Sequence, residues 1–351
     1  MIGRVLVTGH LGYVGTVLTP RLRTEGWQVV GADIDLYAAC SVAEPPGGVD
    51  CPVADFRDIT AEHLAGYDAV VHLAGLSNDP LGAIDPTLTH SINHRAVPGL
   101  AESARAAGVR RFIAVSTCSV YGTGAGDAWL GEDAPCRPLT AYAESKLAME
   151  GALLALDAPG FEVIVLRPGT VFGLSPRLRF DLVVNNMVAW ALSTGRLQLK
   201  STGQAWRPLL HVADLAHAIA SLLELRAGEL AHRVFNVGFN DLNLKIIDLA
   251  KRLSARMPEA TLAFTADAEP DARSYRVDCS RLEGALGDWR PSFQPEAVVD
   301  ELRPMFAARS WGPDRFEGTA LARVAHLRHL LDSGRVDRRL RPVRVSDARS
   351  L

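Results

Sequence analysis

Short apolar runs separated by longer mixed stretches mark the first half of the chain. Arg4–Thr8, Gln28–Ala32, Ala69–Gly75, Arg111–Val115 and Phe161–Leu166 are continuously apolar or nearly so, the pattern of strands buried on both faces of a parallel sheet. Gly47 to Val53, leading into Ala54–Asp58, predicts one more strand, which ends near Asp55. Helical spacing of apolar residues predicts helices from Gly15 to about Glu25, over Asp85–Gly108 and from about Leu139 to Leu156. This alternation implies an α/β fold, a Rossmann-type doubly wound parallel sheet. Pro, Gly and Arg become frequent after Gly173, and the alternation stops. Leucines 321, 327, 330 and 331 predict a late amphipathic helix, followed by an arginine-rich tail that also carries acids and reads as solvated.

The first run leads into Thr8-Gly9-His10-Leu11-Gly12-Tyr13-Val14-Gly15 and then a helix. Strand, glycine turn and helix in that order make a phosphate cradle. Gly9 permits the tight turn, Gly12 lets a pyrophosphate approach backbone N–H groups, and Gly15 lets helix and strand pack closely. His10 is either a water-mediated neighbour of that pyrophosphate or a spectator. The second run ends at Asp33, a carboxylate suited to both hydroxyls of an adenosine ribose and repulsive to a 2′-phosphate. No arginine occurs between Gly26 and Arg57, so the cofactor indicated is NAD rather than NADP. Asp55 is placed either to meet an adenine amino group or to cap the following turn. Leu73, Ala74 and Gly75 end a strand where a cofactor can lie against backbone.

Tyr142 and Lys146 stand four residues apart in a chain with only four lysines, at 146, 200, 245 and 251. One helical turn puts phenol and ammonium on the same face. An ammonium there favours the phenolate and lowers a pKa that is otherwise about 10, giving a proton-transfer group near neutral pH. The spacing alone also describes an ordinary exposed helix face.

Composition narrows the field. The chain has 351 residues, 48% apolar and 22% charged, with a net charge of −3, so it is globular and has no basic field for nucleic acid or membrane. Five cysteines form no Cys-x-x-Cys pair, and no run of eighteen apolar residues occurs; a cytoplasmic protein is expected. The histidines show no metal-ligand spacing, so no metal is expected.

Over most of its length the chain resembles the extended short-chain dehydrogenase/reductases, specifically their nucleotide-sugar epimerase/dehydratase family. The likeness rests on TGHLGYVG at 8–15, Asp33, Asp55, HLAG at 72–75, Asn93, STCSVYG at 116–122, YAESK at 142–146, RPGTVFG at 167–173, WRPLLHVADLA at 206–216 and FNVG at 235–238. It implies an NAD-binding domain over 1–172, with 207–238 returning to it, and a smaller α+β substrate domain from 173–206 and 239–351. It adds Leu11, Tyr13, Val14, Phe56, Asn93 and Pro168 to the cofactor contacts, and makes Thr117, Tyr142 and Lys146 a catalytic triad. The substrate it implies is a nucleoside-diphosphate sugar. Arg207 and Arg273 would grip diphosphate oxygens with their forked donors. Asn185 or Asn186, not distinguished by sequence, would touch diphosphate or sugar; Arg177 and Arg179 lie close by, and Ser77 and Asn78 would reach the sugar.

In such a site Tyr142 takes the proton of a sugar hydroxyl, Thr117 holds its oxygen and Lys146 holds the nicotinamide ribose. Related dehydratases carry an Asp-Glu pair after the threonine, where this chain has Cys118 and Ser119. The missing carboxylates speak against dehydration and carbon-acid epimerisation and favour simple oxidation–reduction at one hydroxyl. The expected activity is an NAD-dependent epimerase that oxidises the hydroxyl to a keto intermediate and re-reduces it. The alternatives are a ketoreductase or dehydratase of an activated deoxysugar, and a non-catalytic cofactor sensor, against which the intact triad speaks. The resemblance also implies a homodimer in which helices 85–108 and 139–156 meet their copies, presenting Ala141, Leu147, Ala148, Ala152 and Leu153.

Overall fold

Six strands, Arg4–Thr8, Gln28–Ala32, Ala69–His72, Arg111–Val115, Glu162–Pro168 and Val234–Val237, pair in parallel in a computed structural model that describes residues 3–123, 127–271 and 273–343 apart from the Asp267 side chain. The strand from 4 lies between those from 28 and 69, with 111, 162 and 234 following outward. Val7 faces Gly31 on one side and Val71 on the other. Strand side chains alternate between faces, and here the alternation builds two cores. Val5, Val7, Val71, Ile113 and Ile164 enter one; Leu6, Val70, Phe112, Val163 and Val165 enter the other. Both faces are therefore covered, as a parallel sheet requires.

Helix Gly15–Thr24 buries Leu18 and Leu22 on the first face and packs against Val212–Glu224. Leu100 and Ala104 of Val97–Ala106, with Met149 and Leu153 of Ala141–Leu154, cover the second. Each fully buried leucine contributes about 1.5–3 kcal/mol. The second half shares the first core: Phe180, Val188, Leu249 and Leu302 join the same cluster as Val5. It adds a sheet of Thr170–Phe172, Trp206–His211 and Asn243–Lys245, and two strand pairs, Arg196–Ser201 with Thr261–Glu269 and Trp129–Leu130 with Arg276–Val277. Among the described residues no helix is long and apolar enough to cross a membrane.

Three expectations are corrected. The strand over Gly47–Val53 is a single bridge, Val30 to Asp50, followed by a 3-10 turn at Phe56–Asp58; Pro45, Pro46 and Pro52 remove the donors a ladder needs. The long helix from Asp85 is broken into Pro86–His90, a π turn at Ser91–Arg95 and Val97–Ala106. Pro98 has no N–H for the carbonyl of His94, and the wider turn accommodates it. Leu153, expected on an outer helix face, is fully buried in the chain's own core. The expected late helix is Arg323–Asp332, and the tail beyond residue 343 lies outside the described residues.

Candidate active site

A cavity of about 830 Å³ opens at the carboxyl ends of the sheet strands, where ligands of α/β folds bind. Gly9, Gly12, Tyr13, Val14, Gly15, Asp33, Asp55, Phe56, Leu73, Ala74, Gly75 and Pro168 line one end. Gly9 has φ +75°, and its N–H donates to the Ala32 carbonyl at 2.8 Å. A Cβ on Gly15 would stand 2.2 Å from the Gly9 oxygen, so only glycine lets the helix start this close to the turn. Asp33 Oδ2 accepts from the Leu11 N–H at 3.0 Å and Oδ1 from that of Asp35 at 2.8 Å. Burial pushes this carboxyl up, and those two N–H groups and His10 oppose the shift. The His10 ring packs on Gly31, where a Cβ would come within 2.4 Å of it, and it does not line the cavity.

Asp55 caps its turn by accepting from the Arg57 N–H at 3.0 Å, and its oxygens also take the Arg57 guanidinium. The capping geometry is thus present on a residue that also faces the cavity. Two expected cofactor residues stand elsewhere. Leu11 reaches the site only through its N–H on Asp33. Asn93 is fully buried at the π turn, where it clamps the backbone of Leu76 through 2.8 and 2.9 Å hydrogen bonds instead of lining the cavity.

Thr117, Tyr142 and Lys146 share one wall. Thr117 follows the strand Arg111–Val115, and its Oγ1 accepts from the Ser119 N–H at 3.1 Å, while its hydroxyl stands near enough to the Tyr142 phenol to favour the phenolate. The helix that carries Tyr142 and Lys146 is capped by Thr140, whose Oγ1 accepts from the Ala143 N–H at 3.2 Å and donates to Asp79 at 2.6 Å. Burial raises the Tyr142 phenol to about 12, opposed by the charge of Arg179 and then by the Thr117 hydroxyl. Lys146 donates to the Val115 carbonyl at 2.9 Å, and burial brings it down to about 8. The expected lowering of Tyr142 by Lys146 is therefore corrected: desolvation dominates, and the cation that acts on the phenol is Arg179. One turn beyond Lys146, buried Glu150 pairs with Arg167 at 2.6 Å and takes the Ser116 hydroxyl at 2.5 Å. The Cys118 thiol turns away to the Arg167 carbonyl at 3.0 Å, and burial pushes it far above its ordinary range.

The other end of the cavity is crowded with ion pairs. Arg207 and Arg273 both line it and share Asp271, Arg273 at 3.0 Å, and Arg273 also meets Asp79. Arg179 pairs with Asp181 at 2.7 Å and donates to the Ser77 hydroxyl at 3.2 Å, while Asn78 donates to Asp181. The two asparagines are now distinguished. Asn186 lines the cavity; Asn185 is fully buried behind it, accepting from the Gly173 N–H at 3.0 Å and donating to the Arg179 carbonyl at 2.9 Å. Sequence reasoning gave no role to Tyr37, Asp79, Asp181, Asp271 or Arg323, which also line the cavity. Asp79 and Asp181 stand within segments already singled out, whereas Arg323 has no local signal.

The sequence profile of the NAD dependent epimerase/dehydratase family matches residues 5–238. A dTDP-glucose 4,6-dehydratase of Streptomyces griseus is 30% identical over 253 residues, 71% of this chain and 72% of its own length. A UDP-glucose 4-epimerase of Streptomyces lividans is 26% identical over 90% of this chain and 99% of its own. The solved structure of MoeE5 in complex with UDP-glucose and NAD is 25% identical, with a TM-score of 0.73 over 87% of this chain and 99% of its own.

Proposed function

Because the chain belongs to the NAD-dependent epimerase/dehydratase family, a family of enzymes, we propose that it is an epimerase of a nucleoside-diphosphate sugar. One observation carries the reading: Thr117, Tyr142 and Lys146 line the same cavity as the glycine turn and Asp33. The residues suit NAD. Gly9, Gly12 and Gly15 line the cavity without side chains, leaving backbone open to a diphosphate, and Asp33 offers a carboxylate to ribose hydroxyls. Bound there, NAD⁺ would supply the acceptor for a hydride from a sugar carbon and, once reduced, its donor.

The chain's own residues manage the proton and the orientation. Thr117 holds the sugar oxygen beside the Tyr142 phenol, with which it shares the cavity wall. Once ionised, Tyr142 takes the hydroxyl proton as the phenolate and gives it back when the keto-sugar is reduced. A phenol at about 12 is a weak acid whose anion is costly but strongly basic, so the Arg179 charge stabilises the step that ionises it. Lys146 orients the nicotinamide ribose, and the Glu150–Arg167 pair fixes the helix turn behind it. Arg207 and Arg273 take up the substrate diphosphate.

Epimerisation is favoured over dehydration because no carboxylate follows Thr117, the Cys118 thiol faces away, and Asp79 beside Tyr142 is tied to Arg273 and Thr140. The test is the product mass after incubation with NAD and UDP- or dTDP-hexoses. An unchanged mass with a new sugar NMR spectrum is expected; loss of one water overturns epimerisation in favour of dehydration. The same reading includes a twofold dimer through Ala141, Leu147, Ala148 and Ala152, which a fully active monomer in light scattering would refute.

A further inference from the structure

Arg177 and Arg323 stand beside the glycine turn, and the charge of Arg179 reaches both Arg323 and Tyr13 of that turn. Arg177 pairs with Asp35 at 2.8 Å and Arg179 with Asp181 at 2.7 Å. Arg323 forms no ion pair with any carboxylate among the described residues, although it is only 6% exposed. One of its nitrogens donates to the Arg177 carbonyl at 3.2 Å, and its Nε is buried without a hydrogen-bond partner. Its Cζ lies 4.7 Å from the centre of the Tyr37 ring. Asp181 attracts it from a distance, but both Asp181 oxygens already serve Arg179 and Asn78. Burial and the neighbouring Arg179 charge pull the group down to about 10, still a full cation at neutral pH.

A buried cation without a counter-charge is far less stable than a paired one. Its surroundings point to where the missing anion binds. Arg323 lines the cavity together with Ile34, Leu36 and Tyr37, the residues that follow Asp33, and with Gly12 and Tyr13 of the glycine turn. The helix that delivers it, Arg323–Asp332, is fastened to that loop by His326, whose Nε2 lies 3.1 Å from the Leu36 carbonyl. This helix lies outside the family match at 5–238.

We propose that Arg323 grips a diphosphate oxygen of the dinucleotide, and that the C-terminal helix thereby closes the cofactor end of the cleft. The inference rests on the reading that the cavity takes NAD. The same chemistry could come from the diphosphate of a sugar nucleotide. The position beside the loop after Asp33, away from Arg207 and Arg273, favours the dinucleotide. Tyr37 contributes by covering one face of the guanidinium, which leaves its edge for the phosphate.

The test uses the full chain and three probes in calorimetric titrations: ADP-ribose, adenosine and UDP. Arg323→Gln should weaken ADP-ribose about tenfold or more, the loss expected for one charge-assisted hydrogen bond, and leave adenosine and UDP within about twofold. Arg323→Lys keeps the charge but loses the fork, and should weaken ADP-ribose about threefold or more. Unchanged ADP-ribose affinity in both variants overturns the proposal, as does a loss for UDP as large as that for ADP-ribose. If circular dichroism shows that Arg323→Gln does not fold, Arg323→Lys alone decides by the same threshold. A wild-type chain that binds neither NAD nor ADP-ribose would instead sink the underlying reading of the cavity.

Discussion

The two ends of the cavity are built in opposite ways. At the glycine turn, shape comes from backbone: the close approach of Gly15 to Gly9 and the paired N–H bonds that hold Asp33 in place. At the far end, shape comes from charge: Arg207, Arg273 and Arg179 are each held by a carboxylate from another part of the chain or from nearby sequence. The first end is ready for its ligand without rearrangement. At the second, an anionic ligand would have to displace carboxylates already paired to the arginines. Arg323 is the exception at the first end, a buried cation beside the turn with no carboxylate of its own among the described residues.

The sharpest way to break this contrast is at Asp33. Asp33→Ala should weaken NAD about tenfold or more and narrow the gap to NADP, because ribose hydroxyls lose an acceptor and a 2′-phosphate loses a repulsion. Equal affinities of the wild-type chain for NAD and NADP would contradict the assignment. At the other end a smaller effect of opposite sign is expected. Asp271→Asn removes the charge that occupies both Arg207 and Arg273 and should tighten UDP about threefold. Weaker UDP binding would mean instead that Asp271 serves to aim those arginines.

The smallest effect concerns Lys146 and stability. Its folded pKa of about 8 lies below the ordinary 10.5, so the unfolded chain binds more protons between those values. Stability gained from this group is therefore complete above about 10.5 and is lost as pH falls through about 8. Lys146→Met should melt a few degrees higher than wild type at pH 7, with the difference shrinking above pH 10. A constant difference across that range in thermal scans would show that packing, not charge, sets it.

Much of the cofactor end was legible in sequence because its signals are local. A strand, a glycine turn and a helix are contiguous, and five apolar runs predicted five of the six sheet strands. The same locality explains the failures. The apparent strand at Gly47–Val53 looked suitable by position, but its prolines leave only one bridge. Spacing placed Lys146 one turn from Tyr142 but carried no information about burial, which raises the phenol, or about Arg179, whose charge opposes the rise. The far end was harder, because its pairs join residues distant in sequence, as Arg273 does with Asp79. Arg323 was illegible for the same reason: its meaning depends on Tyr37 and Arg177, which only the fold brings to it.

The central claim is that the phenol of Tyr142 carries the substrate proton while the rest of the cavity does the binding. Tyr142→Phe removes that hydroxyl and little else, so the direct measurement is turnover beside binding in one preparation. Turnover should fall by about a thousandfold or more, with NAD and UDP affinities within a few-fold of wild type. A Phe variant that keeps most of its turnover would contradict the assignment of Tyr142.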